Sequence, residues 1–351
     1  MMVILKLLFS FYIIFYNILF MKDIFDNPNF GDFKLNSRIV RTGLWESQNE
    51  SQKNLSADIF LRYETLAKNN VGLITTELIS MYSHDRFSDY SHSINSPLFI
   101  KDFKEITSIV HQFNVPILAQ VGFVNCNVNG KQMIEVNDLT IEDIRKIQAD
   151  YLVAAKKVAF AGFDGIQLSI GNNYYLSRIM NPFENQRDDD YGGNTYNRVR
   201  IAVEIIKLIK KSTDLHVNCR VNLYQDMEDS LEICKILAEN GADSLQITKF
   251  LSPQYFRKGQ SNQNMLVEFC DKVASEVSIP VILGGGMSDM NRINNLINDT
   301  SIDFVSMYRP FIRNPEFLSD WKNNKSSVSE CRTCNNCYWK KSSICLIQDA
   351  E

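Results

Sequence analysis

Eight times between Arg38 and Met307 a short β-rich run is followed by a longer amphipathic one, and this alternation restricts the fold more than any other feature of the chain. Units of this kind build a buried parallel sheet, whose strands read as near-continuous apolar runs. The expected strands cover residues 39–43, 72–77, 116–121, 165–169, 216–222, 244–248, 280–284 and 304–307. Residues 57–68, 141–159, 199–211 and 230–240 repeat apolar side chains at three- and four-residue steps, as packed helices do. Punctuation agrees with this reading. Thr140 precedes Ile141-Glu142-Asp143, an acidic residue three positions after a plausible cap, while Asn240-Gly241 and Ala161-Gly162 stop helices just before the next strand. Eight βα pairs predict a single (β/α)8 barrel of about 250 residues plus insertions, which uses most of the 351 residues present. The expected organisation is a hydrophobic extension over 1–21, a barrel over 22–322 and a short Cys-rich tail over 323–351, with the stretch NNKSSVSE as a flexible connection to the tail.

Composition narrows the function classes. With 45% hydrophobic and 22% charged residues the chain is globular in character, and a net charge of -4 without a basic stripe argues against a nucleic-acid partner. Lys210-Lys211 and Lys340-Lys341 read as solvated faces. Residues 3–20 form an apolar run interrupted by Lys6, Ser10 and Asn17, close to the roughly 20 residues that cross a bilayer. It lacks the small residues of a cleavage site, which leaves a signal anchor or a mis-assigned start upstream of Met21, the second being favoured. A membrane partner follows only from the anchor; otherwise the expected location is cytoplasmic.

Cysteines fall into two groups. Cys126, Cys219, Cys234 and Cys270 are scattered through barrel-like segments, where a thiol behaves as a small apolar side chain. Cys331, Cys334, Cys337 and Cys345 crowd the C-terminus at a spacing that suits a metal or cluster site better than a disulfide framework.

The richest segment is 161–200, AGFDGIQLSIGNNYYLSRIMNPFENQRDDDYGGNTYNRVR, which joins an apolar strand, a polar loop and a dense turn signal. It resembles the Old Yellow Enzyme family of flavin oxidoreductases. That family carries a loop reading P-x-x-N-x-R-x-D-x-Y-G-G-x-x-x-N-R, and Pro182, Asn185, Arg187, Asp189, Tyr191, Gly192, Gly193, Asn197 and Arg198 all fall in its register. The resemblance implies an FMN-dependent enzyme in which NAD(P)H reduces the flavin and hydride then passes to an electron-poor C=C bond of a small-molecule substrate. Ser169 and Asn172 would hold the activating carbonyl and Tyr174 would be the proton donor. The family usually has histidine where Ser169 stands. A hydroxyl and a carboxamide cannot become an imidazolium, so they should stabilise a developing enolate less strongly.

The same resemblance assigns cofactor contacts. Gln120 in PILAQVGF matches a glutamine on the flavin pyrimidine, and Arg220 in HVNCRVN an arginine beside flavin N1 and O2, where a cation favours the anionic reduced ring. Gly285 and Gly286 close PVILGGG, and Arg309 follows the last strand in VSMYRPF with Tyr308 where the family has glycine; together they resemble an FMN phosphate site. RIVRTGLWE is similar to a segment that covers the flavin, which would put Trp45 and Glu46 at the cavity border, but an aromatic residue beside a strand end is more often core or rim packing, and neither is assigned to the site. For the tail, relatives with C-x-x-C-N-x-x-C hold a four-iron cluster, and CRTCNNC is similar with a shorter second spacing. Iron–sulfur cluster, zinc and unligated thiols all stay open, with metal of some kind favoured. An oligomer is compatible with the sequence. The rival readings are a flavin-binding barrel with lost or altered reductase activity, and a non-flavin phosphate-binding barrel enzyme, in which Gln120, Arg220 and the loop 185–198 would have no role.

Overall fold

The structure, a computed structural model, describes residues 21–43, 55–85, 92–124, 134–224, 226–249, 263–338 and 345. The apolar run 3–20, Trp45, Glu46 and Cys126 lie outside the described residues.

An antiparallel pair, β1 (Asn29–Phe30) and β2 (Phe33–Lys34), precedes eight parallel strands. These are β3 (Ile39–Arg41), β4 (Leu73–Ser80), β5 (Ile117–Gly122), β6 (Gly165–Ile170), β7 (His216–Asn222), β8 (Ser244–Thr248), β9 (Val281–Gly284) and β10 (Phe304–Met307). They close into a barrel in chain order, with β10 pairing β3 through Val305–Ile39, Ser306–Val40 and Met307–Arg41. Every expected strand is present. The second barrel strand runs three residues further than its apolar pattern indicates, to Ser80, across an irregularity between Thr75 and Leu78.

The helices are α1 (Ala57–Lys68), α2 (Phe99–His111), α3 (Ile141–Phe160), α4 (Tyr175–Met180), α5 (Thr195–Ser212), α6 (Met227–Glu239), α7 (Gln263–Glu276), α8 (Met290–Asp299), α9 (Arg309–Arg313) and α10 (Phe317–Lys322). Their limits follow the local chemistry. Thr140 Oγ1 accepts from Asp143 N at 3.1 Å while Asp143 Oδ2 accepts from Thr140 N at 2.9 Å, so the capping box read from sequence starts α3. Gly162 and Gly241, at φ 83° and 101°, make the left-handed exits after α3 and α6. No helix among the described residues is long and apolar enough to cross a membrane.

One end of the barrel is sealed. Phe30 and Leu35 from the N-terminal hairpin pack with Val40, Leu73, Leu118, Ile282 and Phe304, and Phe30 meets Phe304 edge-on at 5.0 Å. Chemistry therefore belongs at the opposite end, where the strands finish. Between the ends runs a buried amide ladder. Gln167 Nε2 donates to Asn218 Oδ1 and Gln246 Oε1, both at 2.7 Å, and Gln246 Nε2 donates to Thr42 Oγ1 at 2.8 Å and Ser306 Oγ at 2.9 Å. The connection to the tail departs from expectation: it docks rather than floats, because Val328 bridges Asp289 and Ser329 N donates to Ser288 O at 2.8 Å.

Candidate active site

Gln120 on β5 and Arg220 on β7 are separated by one strand, β6, and both reach the same point. Arg220 Nη1 donates to Gly43 O at 3.0 Å, and a Cβ on Gly43 would stand 2.9 Å from Gln120 Oε1. That Cβ would also lie 1.7 Å from Thr76 O, so only glycine fits where the first barrel strand leaves the sheet. Gly43 is thus a site position that sequence reasoning missed. Its only signal is a Thr-Gly step after an apolar run, and the collision that demands glycine comes from a neighbouring strand.

Ser169 is paired with Arg220 across β6 and β7, which puts the expected carbonyl holder beside the expected cation. Gln120 and Ser169 are each 1% exposed, and neither Gln120 Nε2 nor Ser169 Oγ has a hydrogen-bond partner among the described residues. Buried polar atoms are rarely left unsatisfied without a reason. Two of them at strand ends, facing the same opening as Arg220, form a donor set that fits a polar-edged ligand. The glycine run supplies a second feature of such a site: Gly285 and Gly286 have φ 86° and 82°, and a Cβ on Gly285 would meet nothing within 4 Å, so backbone there borders open space. These residues fit a flavin mononucleotide.

Beyond Ser169 the chain turns sharply. Asn172 and Asn173 have φ 58° and 60°, and Tyr174 N donates to Gly171 O at 3.2 Å, closing the turn that caps α4. The two adjacent tyrosines part company here. Tyr175 is fully buried and donates to Ile134 O at 2.7 Å, an anchor for a loop. Tyr174 instead faces the site: burial raises its phenol pKa above the usual value, opposed by the Arg220 charge and by a hydrogen bond with the Asn172 side chain. Asn172 is therefore tied to Tyr174, a link its sequence position did not reveal.

The loop that carries the family resemblance is occupied with itself. Asn185 Nδ2 donates to Ile179 O at 2.7 Å and Tyr191 O at 2.8 Å, and Arg187 Nη1 donates to Val136 O at 3.0 Å and Leu139 O at 2.6 Å while pairing with Asp189. A Cβ on Gly192 would fall 2.2 Å from Arg187 O. Arg198, 4% exposed, donates to Met180 O at 3.0 Å and Gly193 O at 2.6 Å and forms an ion pair with Asp229. These residues brace α4 from below, and so hold Tyr174 from a distance.

At the other rim, Tyr308 fills the expected glycine position because its ring stacks on Arg41, 5.6 Å from the guanidinium, with Tyr63 at the same distance. Arg309 begins α9 but turns toward the tail, where Nη1 donates to Asn335 Oδ1 at 2.6 Å. Cys331, Cys334, Cys337 and Cys345 line one cavity with Arg309 and Arg313. Burial pushes the Cys337 thiol up to about 11 against the lowering effect of Arg309. The thiols share this cavity, but no three metal-ligating side chains among the described residues stand close enough to hold an ion. As it stands, the arrangement does not fit a metal.

Residues 119–327 match the family model described as NADH:flavin oxidoreductase / NADH oxidase family. The chain is 24% identical to an NADH oxidase of Thermoanaerobacter brockii over 89% of its own length and 53% of the relative, so it spans about half of that protein. It is 22% identical to an NADPH dehydrogenase of Clostridium acetobutylicum over 84% of its length and 93% of the relative. Among solved structures, an Old Yellow Enzyme homologue of Zymomonas mobilis superposes with a TM-score of 0.73 at 18% identity, over 88% of this chain and 95% of the other. At that identity the superposition speaks for the fold alone.

Proposed function

Because the chain belongs to the NADH:flavin oxidoreductase / NADH oxidase family, we propose that it is an FMN-dependent NAD(P)H oxidoreductase that reduces electron-poor C=C bonds. The observation that carries this reading is the convergence of Gln120 and Arg220 on Gly43, with the Gln120 amide and the Ser169 hydroxyl buried and unsatisfied beside them. FMN, when bound, supplies the hydride chemistry between NAD(P)H and the acceptor.

The residues of this chain have separate tasks. Gln120 and Arg220 would hold the ring, and Gly285, Gly286 and Arg309 the phosphate, Arg309 being shared with Asn335. Ser169 and Asn172 would hold the substrate carbonyl. Tyr174 would give its phenolic proton to the carbon beside that carbonyl and regain one from solvent, which balances the hydride delivered to the far carbon of the double bond. A phenol whose pKa is raised by burial stays protonated at neutral pH and suits a strongly basic carbon. This reading includes a cytoplasmic location, because NAD(P)H is held there.

The deciding experiment is spectroscopic. Purified protein should show an oxidised-flavin absorption spectrum that bleaches under anaerobic NADH or NADPH and returns on addition of an enone. A colourless protein sinks the flavin reading. Bleaching without reoxidation by any enone favours a flavin carrier, a reading to which the substitution of Ser169 for histidine gives some weight.

A further inference from the structure

The turn that carries Asn172 and Tyr174 needs something to hold it. Two successive asparagines in left-handed backbone, at φ 58° and 60°, occupy a conformation that side chains disfavour even when the residue is asparagine. The holder comes from the neighbouring strand. Asn222, the last residue of β7 and 3% exposed, accepts with Oδ1 from Asn172 N at 3.0 Å and from Thr248 Oγ1 at 3.1 Å. Its amide nitrogen reaches Ser177 Oγ of α4 at 3.5 Å. The fit is tight, since a Cβ on Gly171 would stand 3.0 Å from that same Oδ1.

We infer that Asn222 is a positioning residue for proton delivery: it fixes the backbone of Asn172, whose side chain is bonded to Tyr174, and so sets where the phenol points. The inference rests on the reading of Tyr174 as the acid. The hydrogen bonds described for the Asn222 side chain run to Asn172, Thr248 and Ser177, so its effect should be confined to the protonation half of the reaction. A residue that served folding alone would affect every acceptor equally and would not care whether Tyr174 carries a hydroxyl.

The test is a double-mutant cycle of Asn222→Ala with Tyr174→Phe in FMN-loaded protein, reading oxidation of the reduced enzyme by an enone and by a quinone, which needs no carbon protonation. Asn222→Ala should lower kcat for the enone roughly 10-fold with a smaller change in KM, because misplacing a reacting group costs rate rather than binding. The quinone rate should change much less. In the Tyr174→Phe background the same substitution should cause no further enone loss, since both changes remove one function. Asn222→Ser, which keeps a polar group near Thr248 but withdraws it from Asn172 N, should reproduce the selective loss if the alanine variant folds poorly. Additive losses, or equal slowing of enone and quinone, overturn the inference and leave the acid assignment intact. So does a serine variant with full enone turnover. A normal enone-to-quinone ratio in Tyr174→Phe alone removes the acid assignment and the inference with it.

Discussion

Replacing Arg198 by methionine tests whether the family loop is a brace or part of the site. The guanidinium is 4% exposed and donates to Met180 O at 3.0 Å and Gly193 O at 2.6 Å in addition to pairing with Asp229. Methionine fills much of the volume but leaves the Asp229 carboxylate with only Thr195 Oγ1, at 2.5 Å, as its remaining side-chain donor in this cluster. Removing one partner of a buried pair costs about 3–5 kcal/mol, because the other charge stays buried. At 1.36 kcal/mol per decade that is roughly 10²- to 10⁴-fold in the folding equilibrium. For a chain larger than 250 residues, about 2 °C is lost per kcal/mol, so the melting temperature should fall by about 5–10 °C. Thermal and urea unfolding of the FMN-loaded protein read this directly. Changing Asp229 to leucine in the same molecule should recover part of the loss by removing the orphaned charge. FMN affinity in the folded protein should stay near wild type. A single variant within 1 kcal/mol of wild type refutes the brace, and weakened FMN binding at unchanged melting temperature moves Arg198 into the site.

Four other outcomes are expected. Tyr174→Phe should slow enone-dependent reoxidation by roughly 10²-fold or more while FMN binding is kept; loss of FMN instead would make Tyr174 a structural residue. Arg309→Ala should weaken FMN by about 2 kcal/mol through loss of a charge-assisted contact, and equal flavin retention after dialysis rejects that role. Burial lowers the pKa of His92 and of His216 to about 4, below the unfolded value near 6.5. The unfolded chain therefore takes up protons first as pH drops from about 6.5 to about 4, so the contribution of these two histidines should make stability decline across that window. His216→Asn should reduce the slope of the urea midpoint against pH, and an unchanged slope removes His216 as a cause. Anaerobically prepared protein should show substoichiometric iron and zinc with four titratable thiols at the tail cysteines; stoichiometric metal with those thiols blocked overturns the reading of the segment as plain cysteines.

Much of the barrel could be read in the sequence because a strand buried on both faces is largely apolar, and glycine or asparagine in left-handed backbone marks several of the helix exits. The hairpin at Asn29–Lys34 could not, since two-residue strands carry no period. Helix α5 begins at Thr195, four residues before its apolar repeat, because Asn194 caps it through Asn197 N, and its polar first turn carries no apolar period to read. The site divided in the same way. Gln120 and Arg220 stood out as polar residues in apolar strands. Gly43 and Asn222 did not, because what they do depends on Thr76 in one adjacent strand and on Asn172 in the turn past another, and only the register of the closed sheet brings those atoms within reach.

The amide ladder acts as a check on assembly. Side chains alternate inward and outward along a strand, so a strand displaced by one residue would turn its amide out toward the helices and insert an aliphatic neighbour in its place. Gln246 alone joins β8 to Gln167 of β6, to Ser306 of β10 and to Thr42 just past β3. A slip there would break hydrogen bonds on three sides at once, at about 1–3 kcal/mol for each buried group left unmet. An all-aliphatic interior tolerates shifted registers because grease fits grease. Here parity is enforced by chemistry, and it is enforced across the strands that deliver Ser169 and Arg220, whose usefulness vanishes if either arrives one residue early.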